Sequence, residues 1–149
     1  MTDVITTGQS SILIGGGSSS ANYNTAFGYS SLDATSSEKN AAFGHNSLTN
    51  STSGGSNSGF GQDSGKNIVS GSFNTVIGRK SGLDISSGEY NVSLGFNAGD
   101  NISTNSNNTF IGSNTVGGNT TNASVLGYGV TSQGSNTVTL GNTDITDIY

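Results

Sequence analysis

Catalysis and metal binding each need particular side chains brought close together, and this chain offers few of them. His45 is its one histidine. It sits one residue after a recurring glycine, at a place where other repeats carry Tyr, Gln, Arg, Phe or Ser, and this reads as a solvated rim rather than a general base. Serine is abundant, yet no Gly-x-Ser-x-Gly elbow occurs. The nearest stretches, Gly61-Gln-Asp-Ser-Gly65 and Gly78-Arg-Lys-Ser-Gly82, have the wrong spacing and recur as part of a repeat. Gly15-Gly16-Gly17-Ser18 lacks the Lys of a phosphate loop and a following helix, so it reads as a flexible turn. Nine carboxylates are scattered from Asp3 to Asp147 without an Asp-x-Asp-x-Asp loop, which argues against an EF-hand calcium site. With no Cys there is no disulfide framework and no thiolate metal site. The expectation is a protein that is not an enzyme, with no catalytic residue, no metal and no cofactor.

The composition explains this poverty. Ser, Thr, Asn and Gly make up 88 of 149 residues, and Leu, Ile, Val and Phe only 31. That is too little apolar material for a round core. Disorder would normally bring high net charge or much Pro, but the net charge is −5, charged residues are 9% and Pro is absent. A thin, repetitive structure held by backbone pairing fits better. The longest apolar run, Ile12–Ile14, is far short of the ~20 residues that span a bilayer. Met1–Gln9 has neither a basic nor an apolar region, so no secretory signal is expected there. Four basic residues and a pI near 4.3 argue against nucleic acid and anionic membranes as partners.

One motif runs through the chain: Asn, two small or β-branched residues, a large apolar residue, then Gly. It reads Asn24-Thr-Ala-Phe-Gly28, Asn40-Ala-Ala-Phe-Gly44, Asn57-Ser-Gly-Phe-Gly61, Asn74-Thr-Val-Ile-Gly78, Asn91-Val-Ser-Leu-Gly95 and Asn108-Thr-Phe-Ile-Gly112, with looser copies ending at Gly15, Gly127 and Gly141. The anchor glycines are 13 to 17 residues apart, with four consecutive steps of 17. Such a period marks a solenoid, and the absence of any sustained 3.6-residue apolar pattern predicts no helix. The expected fold is therefore all-β, a β-solenoid or parallel β-roll of about nine coils over residues 11–149, with residues 1–10 as an N-terminal segment. The large residue before each anchor (Ile14, Phe27, Phe43, Phe60, Ile77, Leu94, Ile111, Leu126, Leu140) is expected to form an interior column, and the residue before that to point the other way. Ile68, Ile85 and Ile102, seven after their anchors, form a second expected column. The anchor glycines mark corners or close approaches.

The aligned Asn residues fit either a ladder of stacked side chains or a set of local Asx-turns. Asp63 and Lys80 occupy equivalent places one coil apart and are expected to lie near each other. Two large apolar side chains per coil make a very thin core. Identical chains around a rotation axis would thicken it, which predicts a symmetric assembly of copies. The position one after the anchor holds Tyr29, His45, Gln62, Arg79, Phe96 and Tyr128. These types stack on sugars and donate hydrogen bonds, so they form a candidate receptor-contact stripe. The plain alternative is that they pack over corners or line a groove between chains.

The Asn-x-x-φ-Gly coil resembles the head repeats of YadA-type trimeric adhesins. The longer coils, Asn24-Thr-Ala-Phe-Gly-Tyr-Ser-Ser-Leu32 and Asn40-Ala-Ala-Phe-Gly-His-Asn-Ser-Leu48, look still more like repeats of phage and giant-virus fibre proteins. Asn136–Ile148 is similar to a last coil before a C-terminal chaperone or stalk. The resemblance covers residues 11–148. It implies a left-handed homotrimeric β-roll of about 14–17 residues per coil and a non-enzymatic virion tail fibre. Such a fibre spaces and attaches, and its partners are other fibre or baseplate proteins and a host cell-surface receptor, a glycan among the candidates. The alternative is the head of a bacterial surface adhesin. An ice-binding solenoid is a third reading, from Thr25, Thr75 and Thr109, but Ala41, Ser58 and Val92 interrupt that array.

Overall fold

The computed structural model describes residues 4–7, 10–13, 23–34 and 36–147. Ten short strands form one sheet in chain order: β1 (Val4–Thr7), β2 (Ser10–Leu13), β3 (Thr25–Phe27), β4 (Ala41–Phe43), β5 (Ser58–Phe60), β6 (Thr75–Ile77), β7 (Val92–Leu94), β8 (Thr109–Ile111), β9 (Ser124–Leu126) and β10 (Val138–Leu140). From β3 to β10 all neighbours are parallel and in register, Phe27 against Phe43, Phe43 against Phe60, and so on to Leu140 against Leu126. The chain is a parallel β-solenoid of about seven turns, without helices among the described residues. It has fewer turns than the nine anchors suggest. The segment around Ile12 and Leu13 pairs antiparallel with β3 and with β1, so the first copy of the motif adds no parallel coil. Ile14 and the Gly15–Ser18 run lie outside the described residues.

The interior column is not the one that the repeat suggests. Residues two before the anchor are buried, from Ala26 and Ala42 through Val76 to Phe110 and Val125. The large residues directly before the anchor face outward: Phe27 is 49% exposed, Ile77 39% and Ile111 37%. The reason is space. Where the far wall delivers a large side chain, the strand wall must supply something smaller, and the one large ring on the strand wall, Phe110, fits because Gly99 and Gly117 leave room beside it. A Cβ on Gly59 would lie 2.9 Å from Leu48 Cγ, and one on Gly65 2.7 Å from Leu48 Cδ2. The far wall also trades volume between two positions. Leu32 and Leu48 fill the interior four residues after their anchors, whereas Gly65, Gly82 and Gly99 stand there in the next coils. Those coils fill it from Ile68, Ile85 and Ile102, all fully buried as expected. One large residue per coil fits from that wall, whichever position supplies it.

The anchor glycines turn the chain out of each strand with φ between 124° and 137° from Gly28 to Gly127, a region closed to other residues. They also stack closely: a Cβ on Gly61 would lie 2.7 Å from the Gly78 carbonyl carbon. The Asn column resolves as a ladder. Each side-chain oxygen accepts the backbone N–H of the equivalent residue one coil on, as Asn57 Oδ1 does from Asn74 N at 2.9 Å, Asn74 Oδ1 from Asn91 N at 3.0 Å and, at the end of the ladder, Asn108 Oδ1 from Ala123 N at 3.0 Å. Each Nδ2 donates back down the stack or to a carbonyl of the following turn, as from Asn74 to Asn57 Oδ1 at 3.1 Å and to Gly88 O at 2.9 Å. The side chains are fully buried from Asn57 to Asn108. The buried serines bond in the same way, except that the Ser93 hydroxyl finds no partner. Ser47 and Ser64 hydroxyls lie 2.9 Å apart, and Ser81 donates to Ser93 O at 2.6 Å. These two Gly-flanked serines, Ser64 and Ser81, are interior struts, out of reach of any substrate.

Candidate receptor-contact surface

Three outward columns flank the strands, and the repeat positions each of them. The first is the residue directly before the anchor. Phe27, Phe43 and Phe60 stack, with ring centroids 6.3 and 4.8 Å apart, and Ile77, Leu94, Ile111, Leu126 and Leu140 continue the line. Two residues earlier on the same outward face stand Thr25, Ala41, Ser58, Thr75, Val92, Thr109, Ser124 and Val138. The outer face of the parallel sheet is thus a continuous apolar ridge beside a low shoulder.

The second column, across the glycine corner, is the contact stripe. Tyr29, His45, Gln62, Arg79, Phe96 and Tyr128 are all exposed. Backbone bonds hold them in step: the carbonyls of Tyr29, His45, Gln62, Arg79 and Phe96 accept from Asn46, Asp63, Lys80, Asn97 and Asn114 at 2.8–3.0 Å. Tyr29 and His45 stack at 5.6 Å and 12°, and the Arg79 guanidinium lies 5.5 Å from the Phe96 ring centre. Ser113 separates Phe96 from Tyr128. His45 therefore stacks in a surface column.

The third column was not singled out by sequence and lies five residues before the anchor: Tyr23, Lys39, Ser56, Phe73, Tyr90, Asn107, Asn122 and Asn136. All eight have φ between 56° and 67°. Phe73 and Tyr90 are half exposed and stacked at 4.8 Å and 6°. The signal was present, since both are in frame directly before the ladder Asn.

Charge is organised locally. Asp63 does not pair with Lys80, which the repeat frame suggested. It takes Lys66, three residues on in the same turn, at 3.5 Å. It also accepts from Asn46 Nδ2 at 3.0 Å and Gln62 Nε2 at 3.1 Å. Burial pushes its carboxyl up, but those hydrogen bonds and the Lys66 charge outweigh it, and the net shift is downward. Asp100 moves the other way. A hydrogen bond shared with Asp84, then burial, then the Asp84 charge raise it above the ordinary carboxylate value. Among the described residues no three His, Cys, Asp or Glu side chains come together to hold a metal ion.

Compared with family models, with curated proteins and with solved structures, the chain finds no match.

Proposed function

We propose that this chain is a segment of a non-enzymatic homotrimeric fibre, a viral tail or receptor-binding fibre that spaces and attaches to a host cell surface. One observation carries the reading: eight large apolar residues in register, Phe27 to Leu140, each left 37–49% exposed by its own chain. Such a ridge presents on the order of 600 Å² of apolar surface, at the upper limit of what monomers leave uncovered. Its line runs along the solenoid, so the partner that covers it has the same axial repeat, which a second copy of the chain provides. A ridge one side chain wide, with a shoulder on one side and a corner on the other, is covered on both flanks when three copies meet around an axis. The stripe from Tyr29 to Tyr128 then lies at the rim of that contact, available to a receptor.

Light scattering of the purified protein tests the assembly. A mass of three times the 14.9 kDa chain is expected. A single-chain mass at micromolar concentration, with β circular dichroism intact, would sink the reading.

A further inference from the structure

The third column contains a gap of the size of one ring. Its order along the solenoid is Lys39, Ser56, Phe73, Tyr90 and Asn107. Phe73 and Tyr90 stack face to face at a distance close to the coil spacing, so the other face of Phe73 looks toward the coil that carries only Ser56. There the surface opens into a groove of about 300 Å³, bounded by Phe73, Ser56, Ser72, Glu38 and Lys39. Lys39 and Phe73 are two coils apart, roughly 10 Å at ~4.8 Å per strand, which leaves room for one flat group between them.

The aromatic pair is not what the backbone at this position favours. In an L-residue the left-handed conformation costs about 1–2 kcal/mol, and Asn tolerates it best. Asn107, Asn122 and Asn136 occupy the same position in later coils, whereas Phe73 (φ 59°) and Tyr90 (φ 56°) hold bulky rings there. Those rings are 51% and 53% exposed, so about half of each pair member's surface stays available to a partner. The left-handed conformation recurs at all eight positions of the column, so what marks this pair is the exposed ring that each presents to solvent, a surface suited to ligand contact.

We infer that the Phe73–Ser56–Lys39 groove is a saccharide site that takes a pyranose ring stacked on the free face of Phe73. The lining selects the ligand. An apolar aryl group would leave the Ser56 hydroxyl, the Glu38 carboxylate and the Lys39 ammonium unused, whereas the Ser72 hydroxyl already accepts from Gly55 N at 3.2 Å. A pyranose gives its C–H face to Phe73 and its hydroxyls to those groups. A polyanion is disfavoured by the chain's net charge of −5. The groove is built by successive coils of one chain, so this inference stands apart from the fibre reading, and the mass measurement and the binding measurement fail separately.

The test is saturation-transfer NMR on the whole protein, with the methyl pyranosides of glucose, galactose, mannose and N-acetylglucosamine as probes and adenosine and N-acetyltyrosinamide as controls. At least one glycoside should show saturation, strongest at its ring C–H protons. Phe73→Asn should weaken it at least tenfold while leaving the melting temperature unchanged or higher, because Asn suits the backbone. Ser56→Phe, which fills the gap, should abolish binding with the fold intact. The inference is overturned if no glycoside binds the wild type, or if the controls bind in their place. It is equally overturned if both variants bind as wild type, or if Phe73→Asn lowers the melting temperature, which would make the ring pair a structural brace.

Discussion

At the residue scale, stability rests on polar side chains in places that are normally apolar. Asn74 shows the size of the effect. Its Oδ1 satisfies the buried N–H of Asn91, and its Nδ2 donates to Asn57 Oδ1 and Gly88 O. Asn74→Ala strands the Asn91 N–H and takes the side-chain donor from Gly88 O, at about 1–3 kcal/mol for each buried group left unpaired. A total loss near 3 kcal/mol is expected in chemical denaturation, and a loss under 0.5 kcal/mol would show the ladder to be incidental. The carboxylates predict a pH response. Asp100 is raised by Asp84, so it binds its proton more tightly folded than unfolded. Its contribution is present below the ordinary carboxylate value and is lost as pH rises through the raised one. Asp63 is lowered, so its contribution is present above the ordinary value and is lost as pH falls through the lowered one. Asp84→Asn should therefore remove the loss of stability with rising pH just above the ordinary carboxylate range, while the acid-side loss due to Asp63 remains. Melting curves between pH 3 and 7 that are parallel for variant and wild type would count against the Asp84–Asp100 pair.

At the scale of the element, each strand of the parallel stack, β3 to β10, is three residues long and uses its two faces for different purposes. In β6, Val76 is fully buried and Ile77, its neighbour, is 39% exposed. An unpaired ionised carboxylate in the interior costs several kcal/mol. Val76→Asp should therefore unfold the central coils, seen as loss of the β circular dichroism signal. Ile77→Asp and Ile111→Asp should keep the coil and shift the particle mass toward that of one chain. The same unfolding by both kinds of variant would mean that both faces are interior.

At the scale of the whole molecule, the register turns a repeat into surfaces as long as the solenoid. On the proposed reading the ridge is the assembly surface, and the Tyr29–Tyr128 stripe is the part left for a partner outside the fibre. Aromatic and Arg side chains dominate binding energy at interfaces. Tyr29→Ala and Phe96→Ala should each reduce attachment to target cells about tenfold or more without changing particle mass. If both variants attach as the wild type does, the stripe only lines the groove between chains, and the chain serves as a spacer.

The repeat alone determined the all-β coil, the corner glycines, the buried Ile68–Ile102 column and the alignment of the stripe, because a fixed period places equivalent residues one above another. The face that the recurring Phe, Ile and Leu present was decided only by the tertiary structure. Period-two alternation assigns neighbouring residues to opposite faces but does not say which face is inside. Large size at every repeat suggested burial. Leu48 and Ile68 reach in from the far wall and fill the interior, so the strand wall must be small there and the large residues are turned out. The Asn ladder was undecided for a related reason. A local turn and a stack use the same residue at the same spacing, and only the distance between successive coils, which places each Asn oxygen on the next backbone N–H, separates them. Asp63 chose Lys66 over Lys80 because a partner in its own turn was within reach. Spacing along the chain fixes which residues align, but which of them meet depends on how much room the closed coil leaves.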